Sequence, residues 1–233
     1  MSNTKSLLDL DRKVKDLLFY KKNVHRNSTR SKILDIMYPD TKLTIKQIAS
    51  KTNKPHNYVK KIILQMHSDE YLLSDEKKYN KVYHLSQTGR WFALCVRLDH
   101  ISFQSLCILS QVYCRIKRDP NDMARCYMIS KFRDAYDKSC DADESCASAV
   151  YTSRNISQSI RMLTDRNLIY WANKDFVKIS SGIIIFLKKY DEDFVSLVSW
   201  QNKIFERCRK EQLKVVMSIP EKKKLFSLIK STR

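Results

Sequence analysis

The chain has little that bends sharply: 2 glycines and 4 prolines in 233 residues. Two glycines cannot build a glycine-rich phosphate loop, and neither GxGxxG nor GxxxxGKS/T occurs. Rossmann-type dinucleotide binding and P-loop nucleotide hydrolysis are thereby excluded. An all-β sandwich, which needs a turn about every 8–12 residues, is disfavoured as well. Cysteine is present seven times, an odd count, with no CxxC motif. A secreted disulfide framework is not expected, and the cysteines read as small buried hydrophobes. Cys140 and Cys146 lie six apart, but no paired histidines accompany them, so no metal site is expected. The opening residues are charged throughout and do not read as a signal sequence. The longest apolar run, Ile183 to Leu187, is far too short to cross a bilayer. GxSxG, HExxH and a paired-carboxylate motif are also missing. Asp141, Asp143 and Glu144 read as a solvated acidic loop rather than a nuclease metal cluster. The expectation is a protein that is not an enzyme and uses no cofactor.

What the chain does have is positive charge. Lys and Arg number 44 against 25 Asp and Glu, a formal net charge of +19. Residues 1–100 carry 20 basic and 10 acidic side chains, residues 101–200 carry 14 and 12, and residues 201–233 carry 10 and 3. Both flanks are basic and the middle is nearly neutral. A merely solubilising surface needs no such segregation, so a polyanionic partner is expected. Apolar residues at 43% supply enough material for one large or two small cores, which excludes a disordered basic tail.

The clearest pattern lies between residues 30 and 98. Ile33, Leu34, Ile36 and Met37 form a helical stripe ending before Pro39. Thr44 followed by Gln47 predicts a capping box, with Ile45, Ile48 and Ala49 on one face of a short helix. Asn53-Lys54-Pro55 breaks it, and Asn57 to Glu70 predicts the next helix, with Val59, Ile62, Ile63 and Met66 facing inward. Two extended segments follow, from Tyr71 and from Val82, around the basic tip Lys77-Lys78-Tyr79-Asn80-Lys81. Ser86 to Gly89 then leads into a helix with Trp91, Phe92 and Leu94.

On Ile48-Ala49, Val59, Ile63, Met66, Tyr71-Leu72, Tyr83-His84-Leu85-Ser86 and Gly89, the sequence resembles the winged helix-turn-helix DNA-binding proteins. The last stretch is similar to the strand-to-helix exit of bacterial and archaeal winged-helix regulators. Glu70 and Asn53 stand where the family usually has glycine. The resemblance implies that the second helix of the motif enters the major groove of DNA while the ribbon touches backbone or minor groove. Carried over by position, Lys54, His56, Asn57, Tyr58, Lys60, Lys61 and Gln65 would face DNA from the helix and its approach. Lys77, Lys78 and Lys81 would meet phosphates from the wing. The plainer reading of such lysines is a solvated helix face. The helix, the turn and the basic tip together outweigh it.

The pattern recurs 97 residues on: Val59, Ile63, Met66, Tyr71 and Leu72 map onto Ile156, Ile160, Leu163, Leu168 and Ile169. Ala49 maps onto Cys146, Val177 to Ser180 echoes Tyr83 to Ser86, and Gly89 and Gly182 each sit just past these strands. Such a repeat points to two copies of one unit. In the second copy Ser153, Arg154, Asn155, Ser157, Gln158, Arg161 and Arg166 are the outward candidates. Arg154, Asn155, Gln158 and Arg161 are the residues that would contact DNA. Protein contact is an equal alternative for this copy.

The expected fold is therefore mostly α with small β-wings: two tandem winged-helix modules plus connecting and terminal helices. The expected division is 1–29 as an N-terminal helix, 30–100 as the first module and 101–121 as a connecting helix, then 122–190 as the second module and 191–233 as a C-terminal helix with a basic tail. Leu7, Leu10, Val14 and Leu17 form one flanking stripe, and Phe194, Leu197, Trp200, Ile204, Phe205 and Cys208 another. A homodimer through a terminal helix is expected. The expected function is double-stranded DNA binding by a cytoplasmic, nucleoid-associated transcriptional regulator. A plasmid or viral replication initiator or partition protein, and a scaffold whose winged helices mainly bind protein, stand as alternatives.

Overall fold

The computed structural model describes residues 28–75, 81–117, 127–128, 153–172 and 176–218. Its elements are α1 (Thr29–Met37), β1 (Leu43–Thr44), α2 (Ile45–Thr52), α3 (His56–Ser68), β2 (Leu72–Asp75), β3 (Val82–Leu85) and α4 (Gln87–Arg97). They continue with α5 (Phe103–Lys117), β4 (Tyr127–Met128), α6 (Ser153–Asp165), β5 (Ile169–Trp171), β6 (Phe176–Ile179), α7 (Ser181–Lys189) and α8 (Asp191–Ser218). The fold is mostly helical with two small antiparallel sheets, as expected. The leucine stripe of residues 7–17, the acidic residues 141–144, Cys146, Lys77, Lys78 and the basic tail lie outside the described residues.

Local chemistry sets the first seven elements. Ser28 caps α1 by accepting the Ser31 N–H at 3.1 Å. The capping box at α2 is formed: the Gln47 N–H donates to Thr44 Oγ1 at 3.3 Å and the Thr44 N–H donates to Gln47 Oε1 at 2.8 Å. Asn53 ends α2 in the left-handed region at φ 52°, where asparagine is tolerated because its short polar side chain bonds locally. Pro55 then stands as the N-cap of α3, which needs no N–H there. The helix stops two residues earlier than the sequence pattern suggests. Glu70 swings to φ 62°, and the Tyr71 N–H closes back on the Met66 carbonyl at 2.9 Å.

The first sheet has the order β1-β3-β2, with Leu72 opposite Leu85 and Leu43 opposite Tyr83. Three helices, a hairpin and this strand order make up the winged helix-turn-helix arrangement. The second sheet has the equivalent order, β4-β6-β5, with Ile169 opposite Ile179. Its entry turn repeats the first residue for residue at the 97-residue offset. Asn167 takes φ 54° where Glu70 takes 62°, and the Leu168 N–H bonds the Leu163 carbonyl at 2.9 Å. The residues that would complete a helix-turn-helix ahead of α6, at 129–152, lie outside the described set.

The two glycines are not counterparts, which corrects the sequence reading. A Cβ on Gly89 would lie 2.0 Å from the Tyr71 carbonyl oxygen, whereas one on Gly182 would meet nothing within 4 Å. Gly89 is needed because α4 starts hard against the end of the preceding turn. Gly182 starts a helix in open space.

One hydrophobic cluster runs from Ile33 of α1 to Leu197 of α8. Its axis is α5, buried over most of its surface between Phe103 and Ile116, with Gln104, Gln111 and Cys114 half-buried and Arg115 exposed, and packed against α4, α6 and α8. Phe92 stacks on Phe103 at 5.0 Å, and Trp91 meets Trp200 at 5.4 Å. At the start of α8, Asp193 is 2% exposed. It accepts the Tyr38 hydroxyl at 2.7 Å and the Arg90 Nε–H at 2.7 Å, and Arg90 also pairs with Asp40. A buried carboxylate is tolerated only when paired in this way. Burial, and then the bond to Asp193, push the Tyr38 phenol far above its ordinary range. Phe194 and Leu197, part of the stripe assigned to a dimer contact, are fully buried in the chain's own core.

Candidate nucleic-acid interface

Helix α3 divides cleanly. Val59, Ile63 and Met66 are buried at 0–1% exposure, each contributing roughly 1.5–3 kcal/mol of burial. His56, Asn57, Tyr58, Lys60, Lys61 and Gln65 are exposed, as is Lys54 in the turn before the helix. All seven positions assigned from the sequence to the helix and its approach are thus open to solvent. The helix holds two lysines and no acidic residue, so its outer face is a cationic rod about 10–12 Å across. A B-form major groove is of matching width, about 12 Å.

Sequence reasoning missed Leu64. It is 48% exposed and lies at helical spacing between Asn57, Lys61 and Ser68, at the centre of the outward face. Tyr58, at 51% exposure, flanks the same face. Next to Ile62 and Ile63, a leucine reads as core. Only its angle around the helix, outside the arc of Val59, Ile63 and Met66, would have separated it.

Lys81 is exposed at the foot of β3, with its Nζ 5.8 Å from the centroid of the Tyr83 ring. Lys77 and Lys78 belong to the part of the wing outside the described residues.

Helix α6 is differently placed. Ile156, Ile160 and Leu163 are buried, as the repeat requires, and Gln158 and Arg161 are exposed. Arg154 and Asn155 fall within the helix, but their side chains are outside the described set. Arg161 pairs with Asp165 one turn on, at 3.9 Å. Arg166, counted among the outward candidates, turns instead to the Asp99 carbonyl at 2.7 Å. Met162, the counterpart of Gln65, accepts the Ser102 N–H at 3.1 Å, so the start of α5 covers that flank. Ser157 and Gln158 stand where α3 has Lys60 and Lys61.

No family model matches the chain, and no curated protein does. Among solved structures, the chain is similar to the homodimeric winged helix-turn-helix DNA-binding domain of a possible ArsR-family transcriptional regulator from Mycobacterium bovis. That match has 19% identity, covers 42% of this chain and 86% of that one, and has a TM-score of 0.31. The adhesin competence repressor AdcR of Streptococcus pyogenes matches at 18% identity over 59% of this chain and 98% of that one, with a TM-score of 0.30. The fold assignment rests on the strand order and turn geometry of the chain itself. Among the described residues, no helix is long and apolar enough to cross a membrane.

Proposed function

We propose that the protein binds double-stranded DNA non-covalently, as a transcriptional regulator, with α3 in the major groove. The observation that carries this reading is the division of α3. Its inner face is locked into the core, and its outer face presents Asn57, Lys60, Lys61, Leu64 and Gln65 to solvent with no acid among them. Asn57 and Gln65 suit the paired donor and acceptor of an adenine edge, and Leu64 suits a thymine methyl group. Lys54, Lys60, Lys61 and Lys81 supply cations for phosphates, and Lys77 and Lys78 are assigned the same role. This chemistry needs no cofactor, no metal and no catalytic group, and the proposed role carries with it a cytoplasmic, nucleoid-associated location. In this reading residues 30–100 are the reading module and 122–190 a second module of the same pattern. With Phe194 and Leu197 buried inside the chain, the proposed homodimer falls to the leucine stripe of residues 7–17, read from the sequence alone.

The test is selection of bound duplexes from a random pool. A regulator enriches a short site rich in A·T steps, bound more tightly than random duplex by about 4 kcal/mol or more. Replacing thymine by uracil in that site weakens the wild type and leaves Leu64→Ala unaffected. Sequence-blind, salt-sensitive binding would instead identify a scaffold. Iterated copies of the selected site beside the gene would identify a replication initiator or partition protein.

A further inference from the structure

The second wing differs from the first in one respect that its packing does not require. Among the described residues, strand β5 is one of the two edge strands of its sheet. It anchors itself through Ile169, 1% exposed, and then presents two aromatic rings in succession, Tyr170 and Trp171, each 48% exposed. At the equivalent positions, 97 residues earlier, the first wing has Leu73 and Ser74. The chain's other two tryptophans serve the core: Trp91 is 4% exposed, and Trp200 packs beside it. Large rings are ordinarily the residues a fold hides first, because each removes about 150–250 Å² from water. Half-exposing both on one edge strand forgoes that stabilisation.

Successive strand residues point to opposite faces of the ribbon, so the two rings flank the edge of the sheet, one on each side. Lys178 is the direct cross-strand partner of Tyr170, so its side chain rises on the Tyr170 face. The result is a pair of flat π-surfaces with an ammonium group beside one of them, set in the nearly neutral middle of the chain, so that the rings rather than bulk charge would supply most of the attraction.

We propose that this wing binds single-stranded DNA, stacking unpaired bases on Tyr170 and Trp171 while Lys178 meets a phosphate. Base faces are concealed in a duplex and become available only when the strands separate. Aromatic platforms with flanking cations are how sequence-tolerant single-strand binding is achieved. This inference rests on the duplex-reading role of α3. The two surfaces divide the work, α3 holding a duplex and the second wing holding an opened strand. A regulator or initiator that meets locally melted DNA has use for both.

The test uses the full chain, an oligothymidylate of about twenty nucleotides, long enough for a typical single-strand site, and a duplex of equal length, with anisotropy titrations at one fixed salt concentration. Tyr170→Ala and Trp171→Ala each weaken oligothymidylate binding by roughly tenfold and leave duplex binding unchanged. Tyr170→Phe and Trp171→Phe, which keep a ring, restore single-strand affinity. Oligothymidylate quenches the tryptophan emission of the wild type, and most of that quenching disappears in Trp171→Phe although binding persists. Lys60→Ala with Lys61→Ala shows the opposite pattern, losing duplex and keeping oligothymidylate. If that pair kept full duplex affinity, the α3 reading would fail by itself and the wing could still pass. The wing proposal is overturned if the wild type ignores oligothymidylate at low salt. It is overturned equally if the alanine variants lose duplex and single strand alike, which makes the wing a duplex contact, or lose neither, which makes the rings a surface for another protein.

Discussion

Helices α3 and α6 have the same length, the same buried positions at the same spacing, and the same left-handed exit into an edge strand. Their outer faces have nevertheless parted. α3 keeps Gln65 and two lysines in solvent. In α6 the residue matching Gln65 is Met162, covered by the start of α5, the lysine positions are Ser157 and Gln158, and Arg166 is tied to Asp99. Inward residues preserve a fold while outward ones change its work. On α3 the matched outer positions stay exposed, whereas on α6 the Met162 flank is closed by Ser102 while Ser157, Gln158 and Arg161 stay exposed. The sheets behave the same way: the first wing offers Leu73 outward, the second Tyr170.

The largest expected difference between the two copies lies at the glycines. Gly89→Ala must push backbone apart, since the new Cβ would lie 2.0 Å from the Tyr71 oxygen; it is expected to cost about 2–3 kcal/mol in chemical denaturation. Gly182→Ala meets open space and is expected to be neutral or to stabilise by up to about 1 kcal/mol, through helix propensity. Similar effects at the two sites would mean that the strand-to-helix exits are packed alike after all.

These exits also show what could be read in advance and what could not. The Thr44–Gln47 capping box, the inward triad Val59, Ile63 and Met66, and the 97-residue repeat were all legible, because each is a local or periodic pattern that backbone geometry enforces. Leu64 was not, since hydrophobicity alone cannot separate an apolar residue placed for contact from one placed for packing. The Tyr38–Arg90–Asp193 cluster was also hidden. Its members lie up to 155 residues apart, and nothing periodic marks a carboxylate that will be buried. Arg166 misled for a related reason: an arginine on a helix flank is free only if no carbonyl such as that of Asp99 comes within reach.

A smaller difference is expected between the two wings. Lys81→Ala should lower the slope of log affinity against log salt for duplex by roughly one unit, while Lys178→Ala leaves the duplex slope unchanged. Equal losses would put both wings on the same duplex.

Of the two matched helices, α3 is the one proposed to seat in a double helix. The most direct measurement is duplex affinity at fixed low salt for Lys60→Ala with Lys61→Ala against Arg154→Ala with Arg161→Ala. The first pair is predicted to lose roughly tenfold or more, from the contacts of two cations with phosphate or guanine, and the second pair clearly less. An equal or greater loss from the arginines would put α6 on the duplex, not α3 alone.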